Sequence, residues 1–149
     1  MRLWHIDLIP YLPKKQLQAQ WRELNSIFKK QDKHILINYI YDYPKKYLWR
    51  YTAKVLNEMK SRNIKIKTWD NYDKYFKDEY VVFDDLKYQE HDLTYLNICY
   101  FNLLEKYIRG QKDFSDELYK ELTKFYKEQM KSFKDDKKVK GEISIWQSI

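Results

Sequence analysis

The 149 residues, 44% apolar and 34% charged, are enough for a core, contain no apolar run long enough to cross a bilayer, and show no signal-peptide segment. A single cysteine, Cys99, excludes an internal disulfide and a cysteine-cluster metal site, and fits a reducing compartment, the cytoplasm. The net charge of +7 is unevenly spread: residues 1–67 hold 15 bases against 5 acids, residues 68–96 hold 3 against 8, and residues 97–149 hold 11 against 9. A front half of that sign suits a polyanion, nucleic acid before membrane.

With 2 Gly and 3 Pro, the composition favours helices. Residues 1–13, MRLWHIDLIPYLP, read as an arm, because Pro10 and Pro13 block a continuous helix and Pro13 suits a first helical turn. Leu17, Trp21, Leu24 and Phe28 recur at spacings of four, three and four and predict a helix over 14–30 with one buried stripe. Glu23 lies off that stripe, nearer Gln16, Ala19, Gln20 and Ile27. Asp42-Tyr43-Pro44 starts a second helix that ends near Arg62-Asn63.

Residues 64–91 are acidic, aromatic and irregular, and Val81-Val82-Phe83 is too short to read as a strand. Asp92 caps a third helix that stops at Gly110. Being apolar almost all round, it is expected to be the central one. A fourth helix is expected from about Ser115 to Met130, with Leu118, Leu122, Phe125 and Tyr126 inward. Residues 131–149 read as a charged tail with apolar Ile143, Ile145 and Trp146; its basic run at 137–140 is an ordinary solvated surface. The expected architecture is all-α: a compact, single-domain helical bundle over 1–149 with an N-terminal arm.

MRLWHIDLIPYLP, then QLQAQWREL, then Asp32-Lys33-His34, resemble the pyrimidine dimer DNA glycosylase family of the endonuclease V type. Leu17, Ala19, Arg22, Glu23, Leu24, Phe28, Lys33 and His34 fall in register with it without a gap. A weaker match covers the second helix, and His91-Asp92 and Leu103 to Lys106 extend the resemblance to about residue 110. It implies a compact helical enzyme that binds damaged double-stranded DNA, cuts the glycosidic bond and then breaks the strand at the abasic sugar. In the family the nucleophile is the chain's own α-amino group. The residue matching Glu23 is the catalytic carboxylate, and those matching Arg2, Arg22 and Lys106 contact DNA.

The family's nucleophile is a small residue exposed by removal of the initiator Met. Here Arg2 is too bulky for that removal, so the amine falls to Met1, followed by Arg2. Lys33 and His34 are read as phosphate contacts, with a structural role as the alternative for His34. Ser26 and Asn102 stand where the family has DNA-contacting arginines, and Trp146 or Tyr126 are candidates for its C-terminal aromatic residues.

The chemistry is self-consistent. Attack on an anomeric carbon needs an uncharged amine, and an α-amine (pKa ~8) is neutral far more often at pH 7 than a lysine (~10.4). A carboxylate then removes a 2′ proton. Neither metal nor organic cofactor is required, and a monomer is expected. Alternatives are a non-catalytic nucleic-acid-binding protein on the same fold and a helical protein-interaction module. On those readings Glu23 is a surface carboxylate paired with Arg22 or Lys30.

Overall fold

The computed structural model describes residues 1–77 and 84–139, with side chains through Ser132. Val81-Val82-Phe83, Ile143, Ile145 and Trp146 lie outside the described residues, as do the side chains of the basic run at 137–140. All regular structure among the described residues is helical, as expected: α1 (Lys14–Lys30), α2 (Lys45–Ser61), α3 (Asp70–Tyr75), α4 (Leu93–Ile108) and α5 (Asp116–Val139), with 3-10 turns at Ile6–Tyr11 and Asn38–Asp42. No helix among them is long and apolar enough to cross a membrane. The chain resolves into two compact units, Met1–His91 and Asp92–Ile149.

The first unit is built on α1. Pro13 precedes its first turn, and the left-handed Gln31 (φ 49°) ends it, its N–H closing on the Ile27 carbonyl. Leu17, Leu24 and Ile27 have no exposed surface, and each such side chain contributes ~1.5–3 kcal/mol of burial. The opposing face of α2 presents Tyr51, Thr52, Val55 and Met59, all buried. Phe28, at the far end of the stripe, meets Tyr72, Tyr75 and Phe76 edge-on or tilted. That aromatic contact explains α3 inside a stretch expected to be irregular: its tyrosines gain burial only if one short turn aligns them.

The arm is not a loose lead-in. Leu3, Leu8 and Leu12 have no exposed surface, and Trp4, His5 and Ile6 are buried. The 3-10 turn includes Pro10, whose missing N–H removes an α-helical bond but is tolerated in so short a turn.

In the second unit, Asp92 caps α4, its carboxylate accepting from the Tyr95 N–H at 2.8 Å. Gly110 closes the helix with a φ of 82°, where other residues are strained. α5 packs on α4 through stacked ring pairs, Tyr100–Tyr126 at 3.7 Å and Tyr107–Tyr119 at 4.0 Å. Tyr126 also donates to Asn97. Two expectations are corrected here. α4 is not enclosed on all sides: Leu96, Cys99, Tyr100 and Leu103 are buried, whereas Ile98, Phe101 and Ile108 are exposed. α5 runs to Val139 rather than ending near Met130, because lysine-rich 131–139 contains no breaker before Gly141 even though the apolar stripe has ended.

Candidate active site

The site grows from one buried glutamine. Gln20 sits on α1 one turn before Glu23, with no exposed surface. Its carboxamide oxygen accepts from the Trp4 N–H at 2.8 Å and from the Tyr51 hydroxyl at 2.9 Å. Its nitrogen donates to the Arg2 carbonyl at 3.1 Å and to Glu23 Oε2 at 3.2 Å. The full hydrogen-bonding capacity of one amide is thereby used. It fixes the backbone on both sides of Leu3 and one oxygen of the carboxylate together. Tyr51, itself without exposed surface, shares its single hydroxyl proton between the Gln20 oxygen and the Trp4 carbonyl, which lies closer, at 2.6 Å.

Two further clamps hold the arm. The His91 Nδ1 accepts from the Ile6 N–H at 3.0 Å, and its Nε2 lies 2.6 Å from the Tyr39 hydroxyl. Because Nδ1 is an acceptor, the neutral ring carries its proton on Nε2 and donates to Tyr39. Arg62 donates to the carbonyls of Leu12 at 2.7 Å and Pro10 at 3.1 Å, while Glu58 holds its Nε at 2.7 Å.

Glu23 is half-buried, and that burial raises its carboxyl above the ordinary range. Opposing this, and smaller, are the charge of the N-terminal amine, a hydrogen bond from the Arg2 N–H, and the guanidiniums of Arg22 and Arg2. The geometry thus brings Met1, Arg2, Arg22 and Glu23 together. Arg2 itself lies 5.8 Å over the Trp4 ring. Lys33 and His34 lie beyond the end of α1, exposed. Lys106 is in the second unit, half-buried in the last turn of α4. Ser26 is half-buried on α1, and Asn102 bonds back to the Ile98 carbonyl at 2.8 Å.

A groove of about 410 Å³ opens beside Arg22, with Trp21, Asn25, Lys65 and Lys67 on its walls. A larger one, about 900 Å³, lies between the outer face of α2 and residues 63–72, and neither Met1 nor Glu23 lines it. Size alone therefore points away from the polar cluster; the convergence of amine, carboxylate and guanidiniums marks the site better.

Sequence reasoning missed Gln20, Tyr51 and His91 as parts of this site. The available signal was Gln20 itself, a long polar side chain on the edge of an apolar stripe three residues before the carboxylate.

The first unit is thus a helical scaffold with its amino-terminal arm clamped beside a half-buried carboxylate. Compared with known families, residues 1–71 match the model described as pyrimidine dimer DNA glycosylase. That match supports the resemblance over the arm, α1 and α2, a span that holds Met1, Arg2, Arg22, Glu23, Lys33 and His34; Lys106 and the second unit lie outside it. No curated protein and no solved structure matches the chain.

Proposed function

We propose that the protein is a DNA repair glycosylase with abasic-site lyase activity on damaged duplex DNA. Met1 supplies the amine and Glu23 the carboxylate. The amine attacks C1′ of the damaged nucleotide, the glycosidic bond breaks, and the base leaves with the electron pair. The C1′–O4′ bond of the sugar then breaks, O4′ taking up the proton that the attacking amine gives up, and the resulting ring-opened iminium withdraws electrons from C2′. Glu23 removes the 2′ proton, and the 3′ C–O bond breaks with phosphate as the leaving group. Hydrolysis of the conjugated imine frees the amine.

The single observation that carries this reading is the half-buried Glu23 held by Gln20 and the Arg2 N–H within the field of the N-terminal amine. A carboxyl raised by burial is a stronger base when ionised. Arg2, Arg22, Lys33 and His34 would take phosphates around the lesion, and Lys106 would add a contact from the second unit. The reading requires Met1 to be the first residue of the mature chain, which acts as a monomer in the cytoplasm without metal or organic cofactor.

The test is strand cleavage of a duplex carrying one abasic site and of one carrying one pyrimidine dimer. The proposal expects both to be cut without added metal. Binding of both duplexes with neither cut would leave a non-catalytic DNA-binding protein in its place.

A further inference from the structure

The turn after α1 carries two aliphatic side chains outward in succession. Ile35 is 86% exposed and Leu36 44% exposed. Singly exposed aliphatics are ordinary; these two stand on a turn that hydrogen bonds hold from several directions. The His34 carbonyl accepts from the N–H groups of Ile37 at 2.8 Å and Asn38 at 2.9 Å. The Asn38 carboxamide oxygen accepts from the His34 N–H at 2.7 Å, and His34 Nδ1 accepts from the Leu36 N–H at 3.2 Å. Tyr41 donates to the Asp32 carbonyl behind the turn. Ile37, with no exposed surface, roots the turn in the core.

The surroundings of the turn are basic. Arg22, Lys29, Lys30 and Lys33 are exposed; spacings of seven and eight put Arg22, Lys29 and Lys30 along one side of α1, and Lys33 follows just past the helix end, in the segment that leads into the turn. Arg22 adjoins Glu23, so a row of bases leads from the carboxylate to the turn. A duplex following that row would meet the two aliphatic tips at its far end. Aliphatic side chains presented in this way between phosphate-binding groups unstack base steps and kink the duplex.

We infer that Ile35 and Leu36 form a wedge that enters a base step of duplex DNA away from the reacting sugar, and that Lys29, Lys30 and Lys33 seat it on the flanking phosphates. This rests on the DNA-repair reading above. The wedge would lower the cost of bending the duplex, and bending in turn eases extrusion of a damaged nucleotide.

The experiment uses the full chain and duplexes containing a stable abasic analogue, with 2-aminopurine moved one position at a time on either side of it. 2-Aminopurine brightens when its step unstacks. With the native protein at saturation, a several-fold rise is expected at one step distant from the analogue. In Ile35→Ala/Leu36→Ala that rise falls to near the free-duplex level at saturating protein. Ile35→Ser alone, at a position too exposed to matter for folding, lowers it at least twofold. Lys33→Ala weakens binding but keeps the rise once the duplex is saturated.

The inference is overturned if the double variant and Ile35→Ser, at saturation, give the native rise at every position. It is also overturned, with the repair reading intact, if the native protein binds and cuts the duplex yet unstacks no step away from the analogue. Should the native protein not bind duplex DNA at all, both readings fall. Should the substitutions instead abolish co-sedimentation with anionic phospholipid vesicles while leaving 2-aminopurine emission unchanged, the turn is a lipid contact and no DNA wedge.

Discussion

At the scale of single residues, the opposing demands on Glu23 are the most informative feature. Burial raises its carboxyl, while the amine, the Arg2 N–H and two guanidiniums pull it down without prevailing. A carboxyl whose folded pKa exceeds its unfolded one binds a proton more tightly when folded. Its ionisation therefore costs stability, and that cost is in place once pH has risen through the folded pKa. Glu23→Gln should accordingly raise the melting temperature at pH 7.5. The same variant should lose ~10² to 10⁴ of the lyase rate while keeping DNA affinity, since Gln preserves shape but accepts no proton. Calorimetry and single-turnover cleavage read the two effects independently. A lowered melting temperature with full activity would return Glu23 to the helix surface.

Gln20 argues the complementary case. Gln20→Met keeps the length but removes every hydrogen bond, taking the acceptor from the buried Trp4 N–H and the donor from the Arg2 carbonyl, while Tyr51 keeps the Trp4 carbonyl. The expected loss is ~2–4 kcal/mol by urea denaturation, with a fall in cleavage larger than the fall in affinity, because the amine loses its position. Nothing in the spacing of α1 revealed this role. Amphipathic periodicity located the helix over 14–30, and it placed Glu23 beside Gln20. The role of Gln20 depends on which backbone crosses α1, and that contact joins positions 16 and 18 residues apart in the chain. Tyr51 was hidden for the same reason among 15 tyrosines.

At the scale of elements, the arm is the part that chemistry requires to be stiff, and His91 is its acid-sensitive clamp. Burial, then the neighbouring His5 and Lys87 charges, lower its pKa to about 3. Protonation would place a hydrogen on Nδ1, against the Ile6 N–H. The folded state therefore resists a proton that the unfolded chain takes up near pH 6.5. Stability contributed by neutral His91 is complete above that pH and declines as pH falls toward 3, by at most ~1.4 kcal/mol per pH unit. Urea midpoints at pH 7.5 and pH 5 should differ accordingly, and His91→Gln should flatten the difference while lowering stability at pH 7.5. A native midpoint indifferent to pH over this range would mean the ring is already charged or solvated. Element boundaries were legible where a residue enforces them: Pro13 before α1, Asp92 before α4, Gly110 after it. α3 was not, because its cause is aromatic contact with Phe28; nor was the end of α5, where propensity continues past the apolar pattern.

At the scale of the whole molecule, charge should govern DNA affinity. Binding should fall steeply with salt, and Arg22→Ala or Lys33→Ala should each reduce the slope of log affinity against log salt by about one. Titrations between 50 and 200 mM salt decide this, and affinity indifferent to salt would contradict every nucleic-acid reading of the chain. The asymmetry of charge and the all-α class were readable from composition. The exposed face of α4 was not, since an apolar sequence announces burial without saying which neighbour provides it.

The central claim is that the N-terminal amine, held beside Glu23, is the nucleophile. Borohydride trapping of the untagged protein on abasic duplex DNA, followed by proteolysis and mass spectrometry of the cross-linked peptide, tests it most directly. The account predicts one adduct, with the sugar remnant on the α-nitrogen of Met1, and none when a residue is fused ahead of Met1. An adduct mapped to a lysine, Lys33 or Lys106 among them, or equal trapping by the fusion, would contradict it.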